Sequence, residues 1–201
     1  MKHAAWQPLL DWWFGEAESA AQVAASRSRL WFGYRAEQDE QARERFAEPC
    51  AAALAGGLQD WAEQPQGWLA LILLLDQLPR MLYRGTPQAF AGDVRARALV
   101  RQGLAAGFDR QLPAIRRVFV YLVLEHAEEL ALQDEAVERF VALRDAAATE
   151  EHELFAGYLD YAERHRAVIL RFGRFPHRNA ILGRADTPEE AAFLQEPGSR
   201  F

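Results

Sequence analysis

The chain has 201 residues, of which 50% are hydrophobic and 26% are charged, a composition typical of a globular protein and unlike that of a disordered chain. Its formal net charge of -6 disfavours binding to nucleic acids or anionic membranes, both of which need an excess of Lys and Arg. Cys50 has no second cysteine with which to form a disulfide, and the longest apolar run, Trp68 to Leu75, is far shorter than the ~20 residues that cross a bilayer.

The chain begins with an apolar segment, residues 1–14, that contains Pro8 and Asp11 and lacks the design of a secretory signal. We therefore expect a cytoplasmic protein. The segments that follow read as helices. Ser19 and Thr187 open capping boxes, and Gly107 and Gly173 are expected helix ends because glycine accepts the left-handed conformation there.

These signals and the apolar periodicity predict helices near residues 3–14, 20–32, 37–55, 66–78, 87–106, 112–130, 133–147, 150–172 and 188–195. No useful strand alternation and no low-complexity linker is present, so we predict one all-α domain over residues 1–201. Short connections make neighbouring helices antiparallel, which gives either a bundle or an array of helix pairs of about eight to nine helices.

Two of the predicted helices are apolar nearly all round and should form the core. Trp68–Leu75 leads into Asp76, Gln77 and Arg80, and Val118–Leu124 leads into Glu125 and His126. The spacing of apolar residues places His126 on a buried face. His165 lies on the apolar face of the later helix 150–172 by the same rule.

Helices 66–78, 112–130 and 150–172 are each separated by one intervening helix and should run in the same direction. Their carboxyl ends would then meet, together with the turn Arg171–Asn179, which follows the third of them. From Arg164 to Arg184 there are six arginines, two histidines and no acidic residue, a local basic segment on an acidic protein. Arginine presents a planar fork that suits carboxylates and phosphates.

Each of these polar groups also has a purely structural interpretation. Asp76 and Arg80 are spaced as an i,i+4 ion pair, Glu125 would pair with Arg174 or Arg178, and the two histidines would be hydrogen-bonded core imidazoles. A metal site from His126, His165 and His177 is not expected, because no HxxxH or HExxH spacing is present. Phosphate-binding loops and nucleophile motifs are missing too, so no cofactor is expected.

Several segments together resemble the bacterial domain-of-unknown-function family 924. They are Leu75–Arg80, Ala89–Asp93, Val123–Glu128, Leu182–Arg184 and, most specifically, Arg171-Phe-Gly-Arg-Phe-Pro-His-Arg-Asn179. The resemblance covers roughly Leu9 to Leu194 and implies an all-α, antiparallel helix-pair array, a tetratricopeptide-like superhelix. It implies no activity.

Two functions compete, and the sequence leaves open whether the protein is an enzyme. The first is binding of a peptide, protein or acidic partner through the Arg/His-rich turn. The second is a small-molecule site, or an enzyme, for an anionic or phosphorylated compound, with His126, His165 and Glu125 as candidate acid/base residues. The candidate ligand-binding residues are Asp76, Gln77, Arg80, Arg171, Arg174, His177, Arg178 and Asn179. The sequence does not indicate an oligomeric state.

Overall fold

All regular elements in the computed structural model are helical over residues 4–199, the part of the chain that it describes. The predicted all-α fold is therefore confirmed. In chain order the α-helices are α1 (Gln7–Phe14), α2 (Ala20–Phe32), α3 (Ala36–Leu54), α4 (Pro65–Leu75), α5 (Gln77–Leu82), α6 (Asp93–Ala105), α7 (Ala114–Glu125), α8 (Leu130–Asp145), α9 (His152–Phe172) and α10 (Pro188–Phe193). Residue 3, where the first helix was predicted to begin, lies outside the described residues.

The predicted helix signals act as caps in the structure. Ser19 accepts a hydrogen bond from the backbone N–H of Gln22 at 3.2 Å at the start of α2. Thr187 and Glu190 form the predicted capping box of α10. Gly173 ends α9 with a φ of 70°, a left-handed conformation that a side chain would strain.

The helix predicted over 66–78 is divided in the structure. It bends at Asp76, so that α4 ends at Leu75 and α5 continues from Gln77. Pro79 explains the break, because it has no N–H to donate to the carbonyl of Leu75 four residues earlier. As a result, the Asp76 side chain lies at a helix end in the interior of the protein.

The helix predicted over 87–106 is also divided. A 3-10 turn, Pro87–Phe90, comes first, and α6 starts only at Asp93. Between them the backbone at Gly92 passes close to the carbonyl of Leu75, so closely that a Cβ on Gly92 would lie 2.0 Å from that oxygen. This approach brings the start of α6 next to the break between α4 and α5.

Helices α4 and α7 form the centre of the main hydrophobic cluster, as predicted. All residues from Gly67 to Leu75 in α4 and from Val118 to Glu125 in α7 are buried. The Trp68 indole N–H donates to the carbonyl of Leu99 at 2.7 Å, so the polar atom of this buried ring has a partner. Full burial of one leucine contributes about 1.5–3 kcal/mol, and α4 buries five.

The N-terminal helices pack on α7 through aromatic rings. Trp13, Phe14 and Trp31 surround Phe119 with ring-centroid distances of 5.4, 5.4 and 4.8 Å, in the edge-to-face arrangement that aromatic pairs favour. All three rings are buried. Phe32 differs, because 55% of it is exposed.

The C-terminal part packs through α8 and α9, which lie against each other. The buried face of α9 includes Phe155, Ala162 and His165, and the segment after α9 folds back so that Phe175 joins a second, smaller apolar cluster with Ile169. Over residues 4–199, the helices are all too short or too polar to cross a bilayer.

Candidate functional site

The carboxyl ends of α4 and α7 and the turn after α9 meet, as the sequence analysis expected. Nδ1 of His126, just after α7, lies 2.8 and 3.1 Å from the two carboxylate oxygens of Asp76, just after α4. The guanidinium of Arg178, in the turn after α9, donates to the backbone carbonyl of His126 at 3.0 Å. Three segments that are distant in the sequence therefore contribute to one cluster.

Asp76 is completely buried, and each of its contacts favours the ionised form. Arg80 forms the predicted i,i+4 ion pair at 3.1 Å, and Gln77 donates to the second carboxylate oxygen at 2.6 Å. Burial alone would raise the pKa of Asp76, but the positive charge of Arg80 and the contact with His126 lower the pKa below its usual value. Asp76 is therefore a carboxylate at neutral pH and accepts a hydrogen bond from His126.

His126 is held as a neutral ring with a defined tautomer. Since the Asp76 carboxylate only accepts, Nδ1 of His126 carries the proton and Nε2 carries the lone pair. Burial lowers the pKa of His126, and although Asp76 opposes this shift, the positive charges of Arg80 and Arg178 add to it. Among residues 4–199, no side chain or backbone group forms a hydrogen bond with Nε2.

The arginines beside this pair are themselves neutralised. Arg80 donates to both carboxylate oxygens of Asp93 at 3.0 and 3.2 Å, in addition to its contact with Asp76. Arg178 lies 3.8 Å from Asp93 and between the rings of Phe90 and Phe175. Burial and the nearby charge of Arg80 lower the pKa of Arg178 to about 10, which still leaves it positively charged at neutral pH.

Glu125 forms a second carboxylate–histidine pair. Its Oε1 lies 2.9 Å from Nδ1 of His165, and that nitrogen is also 2.8 Å from the carbonyl of Tyr161. The sequence interpretation, in which Glu125 pairs with Arg174 or Arg178, is wrong. The two arginines pair with Glu190 and Asp93 instead. Glu125 is only 2% exposed, and its Oε2 has no hydrogen-bond partner among the described residues.

Both pairs lie at the base of a cleft with a volume of about 910 Å³. The cleft is bounded by α2, α5, α7 and α9. Its polar lining consists of Ser28, Gln77, Arg80, Arg84, Glu125, His126 and His165. Its aromatic lining consists of Trp31, Phe32, Tyr34, Tyr158 and Tyr161. The ring centroids of His126 and His165 are 6.4 Å apart, so one small molecule can reach both.

The basic segment between Arg164 and Arg184 does not form a basic surface, because each of its arginines lies within ion-pair distance of an acidic residue. The pairs are Arg164–Asp160 at 2.7 Å, Arg166–Asp134 at 2.5 Å, Arg171–Glu189 at 2.9 Å, Arg174–Glu190 at 2.6 Å, Arg178–Asp93 at 3.8 Å and Arg184–Glu128 at 2.6 Å. Three of these contacts attach the segment that follows α9: Arg174 pairs with α10, Arg178 with α6 and Arg184 with the loop between α7 and α8.

The predicted site residues thus divide into two groups. Gln77, Arg80, Glu125, His126 and His165 line the cleft, and Asp76 lies directly behind it. Arg171, Arg174, His177, Arg178 and Asn179 do not line it. Asn179 is fully buried and donates to Asp186 at 2.7 Å, which holds the turn.

Sequence reasoning missed the aromatic wall that α2 contributes and the role of Asp93. Helix α2 is rich in alanine and has a weak apolar pattern that does not indicate a cleft. Only Trp31 and Phe32 at its end and Tyr34 just after it are aromatic. Asp93 was not among the predicted site residues, but it is the bidentate partner of Arg80. The resemblance to Ala89–Asp93 was the only signal that pointed to it.

No group of three or more His, Cys, Asp or Glu side chains within residues 4–199 is arranged to hold a metal ion. His126 and His165 each face a carboxylate rather than each other.

The chain matches the family described as bacterial protein of unknown function (DUF924) over residues 9–198. It is also similar to the solved structure of a protein of unknown function from Agrobacterium tumefaciens, with 37% sequence identity and a TM-score of 0.72. That match covers 88% of this chain and 99% of the other. No protein of curated function matches the chain. From the extent of the family match, the chain belongs to the bacterial family of unknown function DUF924.

Proposed function

We propose that the protein binds a small organic molecule in the cleft between α2, α5, α7 and α9 and that His126 accepts a proton or a hydrogen bond from it. The observation that carries this proposal is the pairing of a fully buried Asp76 with Nδ1 of His126 at the base of a cleft. This arrangement fixes the tautomer and leaves the basic nitrogen without a hydrogen-bond partner among residues 4–199.

The chemistry that follows is general base catalysis. A ligand N–H, O–H or activated C–H that lies within hydrogen-bond reach of Nε2 transfers its proton to that atom, and the positive charge that forms on the imidazole is stabilised by Asp76. Because burial lowers the pKa of His126, the ring is neutral at pH 7 and thus able to act as a base. Arg80 and Gln77 hold the Asp76 carboxylate in place.

A thermal-shift screen of the purified chain against a metabolite library tests this function. A compound that binds the native protein raises the melting temperature, and we expect the effect to be lost in His126→Gln. His152→Gln is the matched control, because His152 is exposed at the start of α9 and outside the cleft. Hits that stabilise His126→Gln as strongly as the wild-type chain, or a broad library without hits, would count against the proposal.

A second candidate is the docking of a peptide or protein, which the exposed aromatic residues at the cleft entrance favour. Phe32, Tyr34 and Tyr161 are 55%, 73% and 54% exposed. Such a surface suits an apolar partner segment better than an acidic one, because the arginines of the basic segment are paired within the chain. The tetratricopeptide-like superhelix that would serve this function stays a prediction, supported by the packing of α8 against α9.

A further inference from the structure

The arginines in the cleft do not offer a free positive charge to a ligand. Arg80 is shared between Asp76 and Asp93. Arg84 donates to both carboxylate oxygens of Asp39 at 3.0 Å, and its guanidinium lies over the ring of Tyr34. An anionic ligand would have to compete with these internal carboxylates for the same donors.

Glu125 presents the opposite situation. Its carboxylate contacts no arginine or lysine of the described chain, and Oε2 has no hydrogen-bond partner there, although Glu125 lines the cleft and is 2% exposed. A buried acceptor without a partner is uncommon in folded proteins and often marks a place where another group binds. Oε2 is covered by neighbouring atoms in this structure, so a ligand would reach it only after the carboxylate turns about χ3, a torsion with a broad profile.

A second acceptor that has no hydrogen-bond partner among residues 4–199 belongs to His126, which lines the cleft. Nε2 of His126 carries a lone pair, since Nδ1 donates to Asp76. A ligand that satisfies both atoms must therefore bring hydrogen-bond donors. Around these acceptors the cleft is lined by aromatic rings, among them Trp31, Tyr158 and Tyr161, and the faces of such rings attract cations.

We infer that the ligand of this cleft is a cationic amine, whose ammonium group donates to Glu125 Oε2 and to His126 Nε2 while its apolar part packs against the aromatic wall. This inference rests on the proposed function and names the ligand class for the same site. It replaces the anionic or phosphorylated class that the arginines of the sequence indicated. Glu125 is the counter-charge, and His126 is the neutral acceptor beside it.

Three probes of nearly equal size test the ligand class on the wild-type chain: benzylamine (a cation at pH 7.5), benzyl alcohol (neutral) and benzoate (an anion). Titration is followed by the shifts of the backbone amide signals of residues that line the cleft in two-dimensional NMR spectra. We expect benzylamine to bind at millimolar concentration or below, benzyl alcohol to bind about tenfold more weakly, and benzoate to give no saturable shift, since a hydrogen bond to a charged group changes affinity by that order.

Glu125→Gln removes the counter-charge with little change of shape. It should lower the affinity for benzylamine about tenfold and leave the affinity for benzyl alcohol unchanged. Glu129→Gln is the matched control, because it makes the same change of charge at an exposed position outside the cleft. Benzoate or benzyl alcohol that binds as tightly as benzylamine, or benzylamine that binds Glu125→Gln as tightly as wild type, overturns the inference. If Glu125→Gln does not fold, the comparison of the three probes on the wild-type chain decides alone.

The outcomes also separate this inference from the proposed function. If benzoate or benzyl alcohol binds in the cleft as tightly as benzylamine and loses affinity in His126→Gln, the ligand-binding function stands and the amine class is wrong. If benzylamine binding depends on Glu125 but not on His126, the amine class stands and the role of His126 as acceptor is wrong.

Discussion

Replacement of Asp76 by Asn tests the central pair of the site. The variant keeps the size of the side chain, but it removes the charge and turns one acceptor oxygen into a donor. Asp76 is 0% exposed and accepts from Gln77 and His126 as well as pairing with Arg80. Breaking a buried ion pair from one side costs about 3–5 kcal/mol, and because Arg80 keeps Asp93 as a partner we expect about 3 kcal/mol at pH 7.

The measurement is urea unfolding of the wild-type chain and Asp76→Asn at pH 7, where His126 is neutral in both proteins. A loss of this size corresponds to a melting temperature lower by about 6–12 °C for a chain of this length. Asp93→Asn is the control. It removes a charge from the same arginine, but Arg80 keeps Asp76 as a partner and the Asp93 side chain is 15% exposed, so a smaller loss is expected than in Asp76→Asn.

The same variant has a readout at His126. Asp76 raises the pKa of the ring against burial and the two arginines, so the pKa of His126 should fall further in Asp76→Asn, as followed by the histidine signals in NMR spectra across pH. A stability loss below about 1 kcal/mol, or a His126 pKa that rises in the variant, would show that the two side chains are not coupled as their geometry indicates.

Three further predictions concern the rest of the molecule. Burial and the charge of Arg178 lower the pKa of His177 to about 3, whereas the unfolded imidazole takes up a proton near pH 6.5. The stability that this contributes is present above pH 6.5 and is lost on acidification, by about 2 kcal/mol between pH 7 and pH 5. Urea unfolding should show a correspondingly smaller acid-induced loss in His177→Gln, and equal losses would refute the burial of the ring. Burial raises the pKa of the Cys50 thiol to about 11, so iodoacetamide at pH 8 should modify the unfolded chain and not the folded one. Gly103→Ala should destabilise the protein by about 2 kcal/mol in urea unfolding although alanine favours helix, because its Cβ would lie 2.2 Å from the Trp68 ring; a stabilised variant would contradict this packing.

The sequence predicted the helices and the meeting of their ends because both depend on local patterns. Apolar periodicity marked α4 and α7 as buried on all sides, and the polar residues that follow each helix had to lie where the helix stops. The alternating direction of successive helices then placed Asp76 near His126 without knowledge of any contact, and their atoms lie 2.8 Å apart. The structure divides two of the predicted helices, at Asp76 and before Asp93, and Pro79 explains the first of these breaks.

The partners of the charged residues could not be predicted in the same way. An ion pair depends on which surfaces face each other after folding. Two of the acidic residues that neutralise the basic segment, Glu189 and Glu190, lie in α10, which follows that segment in the chain. A third, Glu128, comes from the loop between α7 and α8. The number of arginines in this segment therefore overstated the positive charge of the folded surface. It also overstated the argument for an anionic ligand.

The two carboxylate–histidine pairs differ in whether all oxygens of the carboxylate have hydrogen-bond donors, and this difference distinguishes a structural role from a ligand-binding role. The hydrogen-bonding capacity of Asp76 is used by Arg80, Gln77 and His126, so its burial needs no further partner to be explained. Glu125 is also buried, but one of its oxygens receives no hydrogen bond from the part of the chain that the structure describes. A network that served stability alone would gain by supplying that donor or by replacing the residue with an apolar one. The unused oxygen lies in a residue that lines the cleft, where a ligand can provide the missing hydrogen bond.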